Sequence, residues 1–134
     1  MKYLLVLTAF SILGASCKKS NDEPQSKTDY IPINATSTPH NIALGQPILS
    51  RVNCGFFEHF ADITFVNFEV KEGLSKQYEI RAKAFYDNIK YGISLPVNST
   101  FDTTLTLQTP TAGQYILKFY TSNQLIEADT VQVN

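Results

Sequence analysis

The stretch that most constrains this chain is Thr109–Thr121, TPTAGQYILKFYT. Pro110 fixes its own φ, and Gly113 takes a positive φ without steric cost, so Thr109–Gly113 reads as a tight corner. Beyond it, Tyr115, Leu117 and Phe119 share one face of a strand, because side chains alternate with period two. A corner feeding an alternating strand needs a second apolar layer to close over that face.

The same alternation recurs from Ile42 onward. Gly45-Gln46-Pro47 turns into a strand over Ile48–Gly55, and Ile63–Lys71 follows with Thr64, Val66, Phe68 and Val70 on one face. Glu72-Gly73 is the next turn. Over Gln77–Tyr86, Tyr78, Ile80, Ala82 and Ala84 face in while Glu79, Arg81 and Lys83 face out. Asp87-Asn88 turns the chain into a short segment, Lys90–Leu95. Phe101–Gln108 alternates again, with Phe101, Leu105 and Leu107 opposed to Asp102, Thr104 and Thr106. Ser122-Asn123 closes a hairpin to Leu125–Val133, where the apolar phase slips from Ile126 and Ala128 to Val131 and Val133; this slip predicts a bulge near Asp129. No window of useful length carries a 3.6-residue period. Nine Phe, seven Tyr and no Trp agree with strands. The expectation is an all-β antiparallel sandwich of about seven strands.

The step Pro110-x-x-Gly113-x-Tyr115 resembles the tyrosine corner that opens strand F of immunoglobulin-like sandwiches, where the phenol hydroxyl bonds back to upstream backbone. On that step and the strand count, Ile42–Asn134 resembles an immunoglobulin-like or fibronectin type III-like domain. The structural corner is then Pro110, Gly113 and Tyr115. Antibody-type domains place a cysteine two residues after the corner tyrosine; Leu117 stands there, so Cys54 lacks that partner. The resemblance implies a binding or spacing role and carries over no functional residue.

Met1–Ser16 reads as a signal peptide: Lys2 supplies the positive start, Leu4–Leu13 the apolar run and Gly14-Ala15-Ser16 a small-residue exit. A run of ten residues falls short of the ~20 that a membrane-spanning helix needs. Leu13-Gly14-Ala15-Ser16-Cys17 resembles the bacterial lipobox, which implies lipidation of Cys17, with acyl chains such as palmitate, in preference to plain secretion. Several chains hold a protein firmly, since each buried CH₂ adds ~0.8 kcal/mol. Residues from Cys17 to Asn41 form a polar stretch without periodicity and read as a tether, within which Tyr30–Asn34 can add an edge strand that tolerates Pro32. Ser20-Asn21-Asp22-Glu23 resembles the short acidic export signal of Bacteroidota-type surface lipoproteins; the plainer alternative is the start of a soluble linker. The implied location is the bacterial cell envelope, as an outer-membrane lipoprotein; the export-signal reading adds a surface-facing position, and the linker reading leaves the leaflet open.

Candidate chemistry is sparse. The formal net charge of −1, without a clustered basic patch, excludes a nucleic-acid face. Two cysteines do not make a disulfide scaffold, and Cys54 on a strand reads as a small buried hydrophobe. Glu58, His59 and Asp62 lie close in sequence but on an unconstrained loop, so no metal is expected. No phosphate loop, nucleophile elbow or spaced carboxylate pair stands out, and neither catalytic residue nor cofactor is expected. Asp102-Thr103-Thr104 and Asp129-Thr130-Val131 resemble Asp-Ser/Thr-X O-glycosylation acceptors, inside predicted strands. Candidate binding residues are Phe56, Phe57, His59 and Phe60, an aromatic run between strands that either plugs one end of the sandwich or forms a contact patch; the plug, by Phe56 and Phe60 with Phe57 outward, is favoured. These readings converge on a non-catalytic binding or adhesion module contacting glycan or protein through its loops. The alternative is a structural accessory or spacer subunit of an outer-membrane complex.

Overall fold

Alternating sequence becomes strand throughout the computed structural model, which describes residues 26–59, 62–87 and 97–134. The strands are β1 (Lys27–Ile31), β2 (Ile33–Ser37), β3 (Asn41–Ile42), β4 (Ile48–His59), β5 (Asp62–Glu72), β6 (Gln77–Asp87), β7 (Val97–Leu107), β8 (Gly113–Thr121) and β9 (Gln124–Val133). One 3-10 turn, Leu74–Lys76, joins β5 to β6.

The strands form two sheets, the all-β sandwich expected from the sequence. The smaller sheet runs β2-β4-β7, all antiparallel. In the larger sheet β5 lines one edge of β6 from Tyr78 to Asp87. The other edge of β6 is shared end to end: β8 pairs with Gln77–Arg81 and β1 with Ala82–Tyr86. β9 then pairs with β8, and β3 with β9. The β6–β8 and β3–β9 ladders are parallel, so this sheet is mixed rather than wholly antiparallel. A parallel pair needs a crossover, and β7 supplies it for β6–β8 by passing through the opposite sheet. In immunoglobulin sandwiches the corner strand has antiparallel neighbours; β8 keeps the corner but has β6 parallel on its inner side.

The core lies between the sheets, with Ile48, Val52, Ile80, Leu117, Phe119 and Val131 fully enclosed. The alternations of β6, β7 and β8 fall as the sequence predicts. Three local expectations are corrected. First, ordered strands start at Lys27, inside the stretch to Asn41 read as tether. Ile31 and Ile33 are buried at either side of Pro32, where the chain leaves the large sheet for the small one. Polar neighbours in this stretch hide those two isoleucines from a composition argument. Second, the β5 face is not Thr64, Val66, Phe68 and Val70. A bulge between Phe65 and Asn67 turns Val66 outward, and Ile63, Phe65 and Phe68 pack on the core. Third, the β9 slip occurs at Ile126, where Phe119 pairs with Glu127 and Tyr120 with Leu125, not near Asp129. Asp129 already holds the inward phase of Val131, because hydroxyls meet its carboxylate there.

Candidate functional site

The outer face of β2-β4-β7 carries a connected row of polar side chains over a groove. In β4, Val52 and Cys54 point into the core, so period two turns Arg51 and Asn53 to solvent. Asn53 pairs across the sheet with Ala35 and Asp102, and Arg51 with Ser37 and Thr104. Two outward rows therefore cross three strands. Together they floor a shallow groove of ≈ 520 Å³.

A bulge makes the first row continuous. Ile33 pairs with Cys54 and Ala35 with Asn53, leaving Asn34 as the extra residue of β2. Bulges re-aim side chains, and the Asn34 amide is aimed at β4. Its Nδ2 donates to Asn53 Oδ1 at 3.1 Å and to the Gly55 carbonyl at 3.3 Å. Asn53 Nδ2 donates in turn to Asp102 Oδ1 at 2.8 Å. An ionised carboxylate only accepts, so Asp102 fixes the orientation of Asn53, and Asn53 fixes that of Asn34. What remains for a ligand is one Asp102 oxygen, one Asn53 N–H and the Asn34 carbonyl oxygen.

Gly55 permits the close packing behind this row. Its φ is +130°, and a Cβ there would stand 2.0 Å from the Ser99 carbonyl oxygen. The Gly55 N–H bonds to the Pro32 carbonyl at 2.9 Å, which ties the sheet switch to the same strand.

Arg51 is distinctive for its lack of partners. On the large sheet, Lys83 pairs with Glu69 and lies 5.3 Å from the Tyr30 ring centre. Arg81 pairs with Glu79 at 3.3 Å and covers Tyr120 at 4.8 Å. Lys27, Lys71, Lys76 and Lys118 are likewise engaged. Among the described residues, Arg51 is the one cation with no hydrogen-bond, ion-pair or ring partner.

Of the residues the sequence singled out, Phe56 lies on β4, not in a loop; it is half-buried and tilts against Tyr86 with ring centres 6.2 Å apart. Phe57 and His59 continue that strand rather than lying between strands, because the β4–β7 ladder extends to His59 and Val97. The side chains of Phe57, Glu58, His59 and Asp62, and the whole of Phe60 and Cys17, lie outside the described residues. The corner residues are where the sequence placed them. Gly113 has φ +124°, and the Tyr115 hydroxyl donates to the Thr111 carbonyl. Cys54 is free and fully buried; burial first, then the Asp102 charge, pushes its thiol up to about 11. At neutral pH a thiol so held is protonated and lacks the thiolate that a nucleophile needs.

Sequence reasoning missed Asn34, Arg51, Asn53 and Asp102 as a group. Asn34 lies in the stretch read as tether, and Asp102 reads only as an outward residue of an alternating strand and as part of a three-residue acceptor match. The available signal was paired outward polar positions, Arg51-x-Asn53 and Asp102-x-Thr104, but nothing in sequence says that these strands are neighbours.

No protein-family model, curated protein or solved structure matches the chain.

Proposed function

We propose that the protein is a lipid-anchored, non-catalytic binding module of the bacterial cell envelope that holds a glycan on the outer face of β2-β4-β7. The observation that carries this reading is the oriented Asn34–Asn53–Asp102 row. Adjacent donors and acceptors of fixed polarity suit the vicinal hydroxyls of a sugar, each of which both donates and accepts. The groove is open and offers no deep apolar pocket for a protein side chain to anchor in, the usual requirement of a protein hot spot. The sheet face thus takes the role expected of the loops. Anchoring rests on the signal-peptide pattern ending at Cys17.

The test is retention of the full chain on an immobilised panel of neutral and acidic glycans. Wild type is held by at least one glycan, and Asn53→Leu, which breaks the row, is not. Failure of every glycan to retain the wild type overturns the reading. For the anchor, Cys17→Ala moves the protein out of the membrane fraction; an unmodified Cys17 in the wild type, seen by mass spectrometry, contradicts lipidation.

A structural accessory role is the second reading. Leu125 and Ile126 are 47% and 41% exposed beside the β8–β9 turn, an apolar pair at a projecting hairpin end. Crosslinking from that position to an envelope protein in cells is its check.

A further inference from the structure

The row that orients sugar hydroxyls lies beside a cation that the protein leaves unused. Arg51 and Asn53 are two residues apart on β4, about 7 Å at the rise of a strand, so one saccharide spans both rows. Arg51 offers a planar fork of N–H donors, which matches a carboxylate in two parallel bonds. Thr104 and Ser37 flank it in the same row with hydroxyls. Asp102 carries the opposite charge yet makes no ion pair with Arg51. Two polar rows therefore line the groove alongside Ala35 and Val52: a positive row beside a row that ends in a carboxylate.

From this we infer that the groove recognises an acidic saccharide of the uronic acid class, with its carboxylate on Arg51 and its ring hydroxyls on Asn53 and Asp102. This inference rests on the glycan-binding reading above and deepens it. The charge pattern selects one carboxylate per bound sugar. A polyanion carrying charge at every position meets Asp102 at the far row and is repelled there. A neutral sugar satisfies the Asn53–Asp102 row but leaves the guanidinium without its partner. Arg51 is then the residue that sets specificity, and Asp102 the one that positions the hydroxyl-binding row.

The matched probes are methyl glucuronide and methyl glucoside, which differ by carboxylate against hydroxymethyl. They are titrated by NMR into the full chain held in mild detergent, following the Arg51 Nε–H and Asn53 side-chain amide signals. The glucuronide is expected to bind more tightly and to weaken with added salt. Arg51→Gln should lower glucuronide affinity by about fivefold to tenfold and leave the glucoside unchanged. Asp102→Asn should weaken the glucoside, because the row loses its fixed orientation, and weaken the glucuronide less, because a negative charge near its carboxylate is removed as well. Equal binding of the two sugars, with Arg51→Gln silent, overturns the acidic specificity while leaving the glycan reading intact. Failure of both sugars to shift either signal overturns the site itself. An acidic peptide that binds as tightly as the glucuronide also overturns the inference, since the site would then read a carboxylate alone.

Discussion

The Tyr115 hydroxyl donates a 2.9 Å hydrogen bond to the carbonyl of Thr111, four residues upstream. The Thr111 hydroxyl lies 3.3 Å from the same oxygen and, with that oxygen's proton committed, acts as donor to it. The ring is fully buried, stacks on Tyr78 at 6.1 Å and lies 5.1 Å below the Lys76 ammonium. One side chain thus closes the corner and joins it to the turn before β6. Tyr115→Phe keeps the ring and loses the hydroxyl. The expected loss is ~0.5–1.5 kcal/mol, read as a lower urea midpoint. An unchanged midpoint would show that the corner draws no stability from this bond.

Two glycines separate strain from crowding. Gly45 has φ +83° with open space where a Cβ would go, so Gly45→Ala carries only the left-handed backbone penalty of about 1–2 kcal/mol. Gly55 has φ +130° and a Cβ position only 2.0 Å from the Ser99 carbonyl oxygen. Gly55→Ala must part β4 from β7 as well, and should be the more destabilising of the two by thermal melting. Equal losses would mean that the β4–β7 approach is looser than its geometry.

Alkaline pH should unfold the domain through a buried thiol and a half-buried phenol. Burial, then the Asp102 charge, raises the Cys54 thiol from 9.0 to about 11. Burial, then the Asp29 charge, raises Tyr86 from 10.0 to about 12. Each folded value lies above the unfolded one, so the unfolded chain releases these protons first. Their contribution is complete below about pH 9 and is lost as pH climbs toward 11 and 12. Urea midpoints should hold near neutrality and fall above pH 9. Cys54→Ala should soften the first part of the fall. A flat profile between pH 9 and 11 contradicts the assignment.

The fold was legible where one face is buried and the other wet. Tyr78 through Ala84, and Tyr115 through Phe119, alternate cleanly and fall as read. It was illegible at Val66 in β5, where a bulge shifts the phase by one residue without a glycine or proline to mark it; in β9 the slip itself was legible, but its bulge sits at Ile126 rather than near Asp129. Of the early strands only an edge strand over Tyr30–Asn34 was legible, not two strands from Lys27 to Ser37, because only Ile31 and Ile33 face the core there, two apolar side chains within a polar stretch. The candidate site was illegible for another reason. Asn34, Asn53 and Asp102 are ordinary outward residues in isolation. What joins them is strand order and a bulge in β2, and both are properties of the assembled sheet.

Asp129 presents the last case, a carboxylate at an inward position of β9 opposite Leu117. It accepts from the Thr38 hydroxyl, and the Ser50 hydroxyl lies 2.7 Å from Thr38. Thr38 has one proton, and Asp129 takes it, so fully buried Ser50 must donate to Thr38. The Thr36 hydroxyl lies 2.7 Å from Glu127 and 3.1 Å from Asp129, and its single proton favours the nearer oxygen. Asp129 therefore terminates a chain of hydroxyls running from the core. Asp129→Ala leaves Thr38 without its acceptor and costs about 1–3 kcal/mol. Ser50→Ala removes only the first donor of the chain and should cost less, ~0.5–1.5 kcal/mol. Because both act on Thr38, the double variant should lose less than the two single losses added. Strict additivity of urea-derived stabilities would show that the hydroxyls do not act as one chain.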